Sequence, residues 1–138
     1  MIDQRSGQVP ITGESDIVMV RQLVRDRAKA MGFGITDVTR IVTAASELTR
    51  NIYLYAGAGV LTWRELYQRE RVGIELTFMD EGPGIANIDE AMEVGFSTNG
   101  LLGLGLPGVK RLMDEMAIES EVGRGTTVTV RKWLMRRL

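Results

Sequence analysis

Four short stretches hold residue types that could act on a ligand. Ser46-Glu47-Leu48-Thr49-Arg50-Asn51 carries an acid and an amide four residues apart, so on a helix they share a face. In Asp80-Glu81-Gly82-Pro83-Gly84 a carboxylate precedes a Gly-x-Gly turn; it can accept a hydrogen bond from a ligand amine while the turn opens a pocket. LLGLGLPGVKRL, residues 101–112, is a glycine-rich run that lets backbone approach a phosphate. A helix after it would offer unpaired N–H groups and a positive dipole end, with Lys110 one turn in. Gly125-Thr126 stands before the last apolar run. Each stretch also has a plainer reading: a solvated pair on a helix face, a strand-to-loop turn, a loop capping a helix. Singly, none decides.

Composition narrows the chemistry. The chain has neither cysteine nor histidine. Disulfides, thiolate nucleophiles, imidazole bases, Ser-His-Asp triads and Cys- or His-ligated metals are excluded in it. A general base must be a carboxylate or a perturbed Lys or Tyr, and a metal must be held by oxygen. The net charge of −1 gives no overall attraction to nucleic acid or an anionic membrane, and the basic RKWLMRRL end reads as a solvated strand end. The N-terminus lacks the apolar core of a signal peptide, and no apolar run reaches spanning length, so a cytoplasmic protein is expected. At 138 residues, the expectation is one domain spanning 1–138.

These groups need elements to hold them. Val9 and Ile11 alternate with polar residues as a short first strand. Ser15-Asp16 opens a helix with Ile17, Val20, Val24, Ala28 and Met31 on its core stripe, stopped at Gly32. Thr36-Asp37 opens a second, with Val38, Ile41, Val42, Ala45, Leu48 and Ile52 inward, ending near Ala56-Gly57. Strands over 60–67 and 72–79 form a hairpin, and Val72, Ile74, Leu76 and Phe78 make one apolar face. A glycine-rich loop with a short helix around 88–94 comes next, then a helix over about 107–116 with proline in its first turn. Strands over 117–122 and 126–133 close the chain. The fold class is α+β: helices on one face of a mixed, mostly antiparallel sheet. G-x-G-x-x-G within the glycine run is no dinucleotide fingerprint, because residues 95–100 do not read as a strand and no βαβ unit comes after. No G-K-[ST] closes the run, which removes a P-loop.

In combination the four stretches are far more specific. E-x-x-x-N on a helix, D-x-G-x-G after a strand, G-x-G-L before a helix and G-T before the last strand resemble the GHKL (Bergerat-fold) ATP-binding family, in order and spacing, over nearly the whole chain. Within it, ASELTRNIYLYAGAG (45–59), DEGPGI (80–85) and GLGLPGVKRLMDE (103–115) look most like the RsbT-type serine/threonine switch kinases of bacterial stress signalling. The resemblance implies an α/β sandwich that binds ATP and Mg²⁺. It makes Glu47 the general base, Asn51 the Mg²⁺ ligand and Asp80 the acceptor for the adenine amino group. Gly82 and Gly84 would shape the adenine pocket, Gly103, Leu104, Gly105 and Leu106 would form the lid over the phosphates, and Thr126 would lie near the adenine. It also implies phosphoryl transfer to a serine or threonine of a STAS-domain protein of the stressosome, followed by activation of a PP2C-type phosphatase. The rival within the fold is an anti-sigma factor that binds a sigma factor and phosphorylates its STAS-domain antagonist. Whether Ile52, Leu54 and Tyr55 face core, pocket or partner is open at this level.

Overall fold

The computed structural model describes residues 5–93 and 105–136. Strand β1 (Ser6–Ile11) leads into helices α1 (Asp16–Met31) and α2 (Ile35–Asn51), and α2 runs on into a π-helical turn, Ile52–Ala56. Strands β2 (Gly59–Tyr67) and β3 (Arg71–Asp80) form the hairpin; α3 (Ile88–Ala91), α4 (Leu106–Leu112), β4 (Glu115–Glu121) and β5 (Gly125–Met135) complete the order. The sheet order is β1-β2-β3-β5-β4, and every described pairing is antiparallel. Two helices between β1 and β2 return the chain to the end it left, so these neighbours run oppositely. β3 and β4 run in the same direction, but β5 lies between them, so no parallel ladder forms among the described residues.

The period-2 alternation of the strands and the 3.6 stripe of the helices meet in one core. Leu61, Phe78, Val128 and Ile118 form one row across the inner face, and Trp63, Leu76, Val130 and Met116 another. Against them pack Val20, Val24 and Ala28 of α1 and Ile41, Ala45 and Leu48 of α2, all buried. Each large aliphatic side chain so enclosed contributes about 1.5–3 kcal/mol.

One expected cap is absent and two expected helix boundaries move. Ser15 makes no side-chain cap. Asp16 instead turns back, its Oδ2 accepting from the Thr12 N–H at 2.7 Å and the Gly13 N–H at 3.2 Å, and the Thr12 bond chiefly holds its carboxyl below the usual range. α2 begins at Ile35, after an extended Gly34, rather than at a Thr36 cap. α4 stops at Leu112, short of the expected 116, because Met113 turns extended and pairing with β5 claims the chain from Glu115 on. The Asp114 N–H donates to Arg131 O at 2.9 Å, and Asp114 Oδ2 accepts the Trp133 N–H at 2.7 Å. Buried Lys132 ties this end: its Nζ donates to Leu112 O at 2.8 Å and lies 3.5 Å from Asp114 and 3.8 Å from Asp37.

The sheet face away from α1 and α2 carries an ion-paired row. Glu75 is only 7% exposed, and its two oxygens accept from Arg64 Nε at 2.9 Å and Arg131 Nε at 2.6 Å. Burial alone would push its carboxyl up; the two guanidinium groups outweigh that and hold it below the usual glutamate value.

Candidate functional site

The last two turns of α2 carry Glu47 and Asn51 because the opposite stripe, through Ala45 and Leu48, is committed to the core. Thr49, fully buried on the same turn, donates its hydroxyl to Ala45 O at 2.8 Å, so the helix buries this polar group without a penalty. Glu47 keeps a third of its side chain exposed, and Oε1 accepts from Arg50 Nη1 at 2.8 Å. The other oxygen faces Gly105, the residue before α4. A Cβ there would stand 2.9 Å from Glu47 Oε2 and push the carboxylate aside, and it is the φ of +81° that calls for glycine. The start of α4 therefore abuts the carboxylate with no side chain between.

Asp80 ends β3 directly opposite Thr126 in the β3–β5 register. Its Oδ1 accepts the Gly82 N–H at 2.9 Å, which folds the Gly-x-Gly turn back over the carboxylate. A Cβ at Gly82 would come within 2.6 Å of Ala56 Cβ, so the turn sits against the π turn after α2. Gly84 adopts φ +77° beside the Glu121 backbone.

A small apolar cavity of about 40 Å³ lies between the end of α2, the sheet and the start of α4. Leu48, Asn51 and Tyr55 wall it on the helix side, Phe78 and Thr126 on the sheet, and Leu106 at the mouth of α4. It is much smaller than a nucleotide. A larger hollow of about 430 Å³ touches Asp80 and Glu81 but is walled by Val60 and Met79 of the helix-free face, away from Glu47 and Asn51.

The fold thus brings together Glu47 and Gly105, places Asn51, Leu106 and Thr126 on one cavity, and sets Asp80 beside Thr126 with Gly82 over it. Gly103 and Leu104 lie outside the described residues. Sequence reasoning missed Ser120, and it gave Gly125 of the Gly-Thr pair no role of its own. Ser120 Oγ lies 2.8 Å from Thr126 Oγ1 and accepts the Ile85 N–H at 2.7 Å, so it ties the Thr126 hydroxyl to the loop beyond Gly84. Gly125, at φ +128°, packs on the Asp80 backbone, where any Cβ would strike the Asp80 carbonyl oxygen. Its place before Thr126 in Gly-Arg-Gly-Thr was the available signal.

The donor set has a ligand preference of its own. Gly82 lets its turn pack on Ala56 beside the Asp80 carboxylate, and Gly105 brings bare backbone up to Glu47. Among the described residues no cluster of three or more His, Cys, Asp or Glu could cage a metal. An oxygen-preferring ion here would rest on one or two side chains plus ligand oxygens, which suits magnesium. No helix among the described residues is long and apolar enough to cross a membrane.

Comparison with known proteins identifies the family and the fold. A family model described as histidine kinase-, DNA gyrase B-, and HSP90-like ATPase matches residues 36–136. The chain is 53% identical to the serine/threonine-protein kinase RsbT of Bacillus subtilis (strain 168), over 91% of this chain and 95% of that protein. It is 34% identical to the anti-sigma F factor of Geobacillus thermodenitrificans (strain NG80-2), over 74% of this chain and 73% of that one. Among solved structures, the catalytic domain of histidine kinase ThkA superposes with a TM-score of 0.52 at 16% identity, covering 91% of this chain and 95% of that one, which speaks to the fold alone.

Proposed function

We propose, for a chain that belongs to the histidine kinase-, DNA gyrase B- and HSP90-like ATPase family, that residues 1–138 act as one domain transferring the γ-phosphoryl group of Mg-ATP to a STAS-domain protein. The chain is a serine/threonine kinase of the partner-switching kind, supported by 53% identity to a named kinase over nearly its whole length. The observation that carries the mechanism is the meeting of Glu47 and Gly105: a partly exposed carboxylate whose second oxygen opens onto the backbone before α4.

The acceptor hydroxyl loses its proton to Glu47 Oε2 as its oxygen bonds to the γ-phosphorus; the bond to the β–γ bridging oxygen breaks and ADP leaves. Arg50 holds Oε1 and so fixes which oxygen takes the proton. Magnesium, when bound, would supply charge neutralisation on the phosphate oxygens, and the Asn51 carboxamide oxygen would be its side-chain ligand. Asp80 keeps an oxygen for the adenine amine while Oδ1 holds the Gly82 turn. Gly84 and Thr126 would bound the same pocket, and the backbone of Gly105 and Leu106 would lie over the phosphates, with Gly103 and Leu104 given to that lid by the family resemblance alone. After transfer the kinase is released to a PP2C-type phosphatase, which it activates by binding.

A second reading rests on the 34% identity to an anti-sigma F factor: the chain would hold a sigma factor and phosphorylate its STAS-domain antagonist. One experiment tests the first reading. γ-Labelled Mg-ATP is incubated with a STAS-domain protein from the same cell, with Glu47→Ala as control. Acid-stable label on serine or threonine, absent with the variant, supports the kinase; label with the variant at the wild-type rate removes the base assignment. Sigma-factor capture by the unmodified chain would favour the second reading.

A further inference from the structure

Three neighbouring side chains beyond Asn51 point three ways. Ile52 is 2% exposed and lies in the core, and Tyr55 lines the cavity. Leu54 is 53% exposed and is not among the residues that wall the cavity. The π turn does this sorting: the Gly57 N–H reaches back five residues to Ile52 O at 2.9 Å, widening the last turn.

Leu54 stands at i+7 from Glu47 with Arg50 between them at i+3, a spacing that keeps all three on one side of the helix. At the helical rise it lies roughly 10 Å along the axis from Glu47. The Glu47 and Arg50 side chains are 33% and 40% exposed, so this line is open to a macromolecule. Arg50 spends Nη1 on Glu47; a guanidinium carries five N–H donors, enough to serve a second acceptor beside it. A protein that offers its hydroxyl to Glu47 from this side meets Arg50 and then Leu54 along the same helix face.

Resting on the kinase reading, we propose that Glu47, Arg50 and Leu54 form the docking line for the folded protein substrate, with Leu54 as its apolar anchor. The occupant presents three groups in order: the acceptor hydroxyl, a carboxylate or carbonyl over Arg50, and an apolar side chain roughly 10 Å from the hydroxyl over Leu54. A buried leucine anchor at such a contact changes affinity by roughly ten- to a hundredfold.

The test is steady-state transfer from Mg-ATP to the STAS-domain protein at varied protein concentration, comparing wild type with Leu54→Asp, Leu54→Ala and Leu54→Met. Ile35→Asp, at the other end of α2 and 84% exposed, is the control for adding a charge at an exposed apolar position. Leu54→Asp should raise KM for the protein substrate roughly ten- to a hundredfold, with kcat and ATP affinity within about twofold; Leu54→Ala should do less. Leu54→Met should restore the wild-type KM, and Ile35→Asp should leave it unchanged. An unchanged KM in Leu54→Asp overturns the inference, as does a loss of ATP affinity, which would put Leu54 in the nucleotide site. Dimers that Leu54→Asp dissolves, with KM unchanged, would give the anchor to a second copy and overturn it too. A wild-type chain that transfers no phosphate removes the kinase reading first, and this inference with it.

Discussion

Glu47 and Glu75 are both glutamates held by arginine, on opposite sides of one molecule, and they differ in what is left over. Glu75 sits on the helix-free sheet face with its side chain 9% exposed and each oxygen taken by a separate guanidinium. Glu47 has one arginine on one oxygen, a third of its side chain exposed, and the other oxygen against a glycine. A carboxylate with both oxygens engaged cross-braces strands. One with an oxygen facing open backbone can take a proton. Residue type does not separate the two; the number of donors arranged around each does.

The sharpest way to break the comparison is Glu47→Ala. Transfer should fall by about 10²–10⁴-fold, the usual worth of a general base, while thermal unfolding stays within about 0.5 kcal/mol of wild type, as for other changes outside the core. Single-turnover phosphotransfer beside a melting curve reads both. Glu75→Gln should do the reverse. It should cost about 1–3 kcal/mol of stability by weakening two charge-assisted hydrogen bonds at a largely buried site, seen as a lower denaturant midpoint, with the rate of transfer per folded molecule unchanged.

Gly105→Ala would make Glu47 more like Glu75 by filling the gap at Oε2. The added methyl meets that oxygen and an unfavourable φ, so a stability loss of about 1 kcal/mol is expected, with a fall in transfer of roughly tenfold from the misplaced base. The smallest effect is on acid stability. The folded Glu75 carboxyl lies below the ordinary 4.5, so the unfolded chain binds that proton more readily. Its contribution is therefore complete above about pH 4.5 and is lost as pH falls through the lower folded value. Denaturant titrations across that acid range should show a shallower decline in Glu75→Gln than in wild type.

Much of this was readable along the chain. The stripes of α1 and α2 and the alternating face Val72, Ile74, Leu76 and Phe78 are periodic over enough residues for burial to follow from spacing, and all of those named inner residues but Met31 are buried. The E-x-x-x-N pair and D-x-G-x-G were legible as patterns because each lies within about one turn of chain. Glu75 was not. Alternation puts it on the outer face, but its burial depends on Arg64 across one strand pair and Arg131 fifty-six residues away. The early end of α4 was hidden for the same reason: residues 113–116 can extend a helix, and only pairing with β5 takes them from it.

The sequence by itself determined the period of each element, the absence of thiol and imidazole chemistry, and the local pairs Glu47–Asn51 and Asp80–Gly82, since these depend only on neighbours a few bonds or one helical turn apart. The tertiary structure decided which carboxylate is satisfied and which is open. It set Thr126 against Asp80 and Gly105 against Glu47, and it turned Leu54 outward while Ile52 and Tyr55 turned in. Those outcomes depend on register across the sheet and on one widened helical turn, and both are settled only when distant segments pack together.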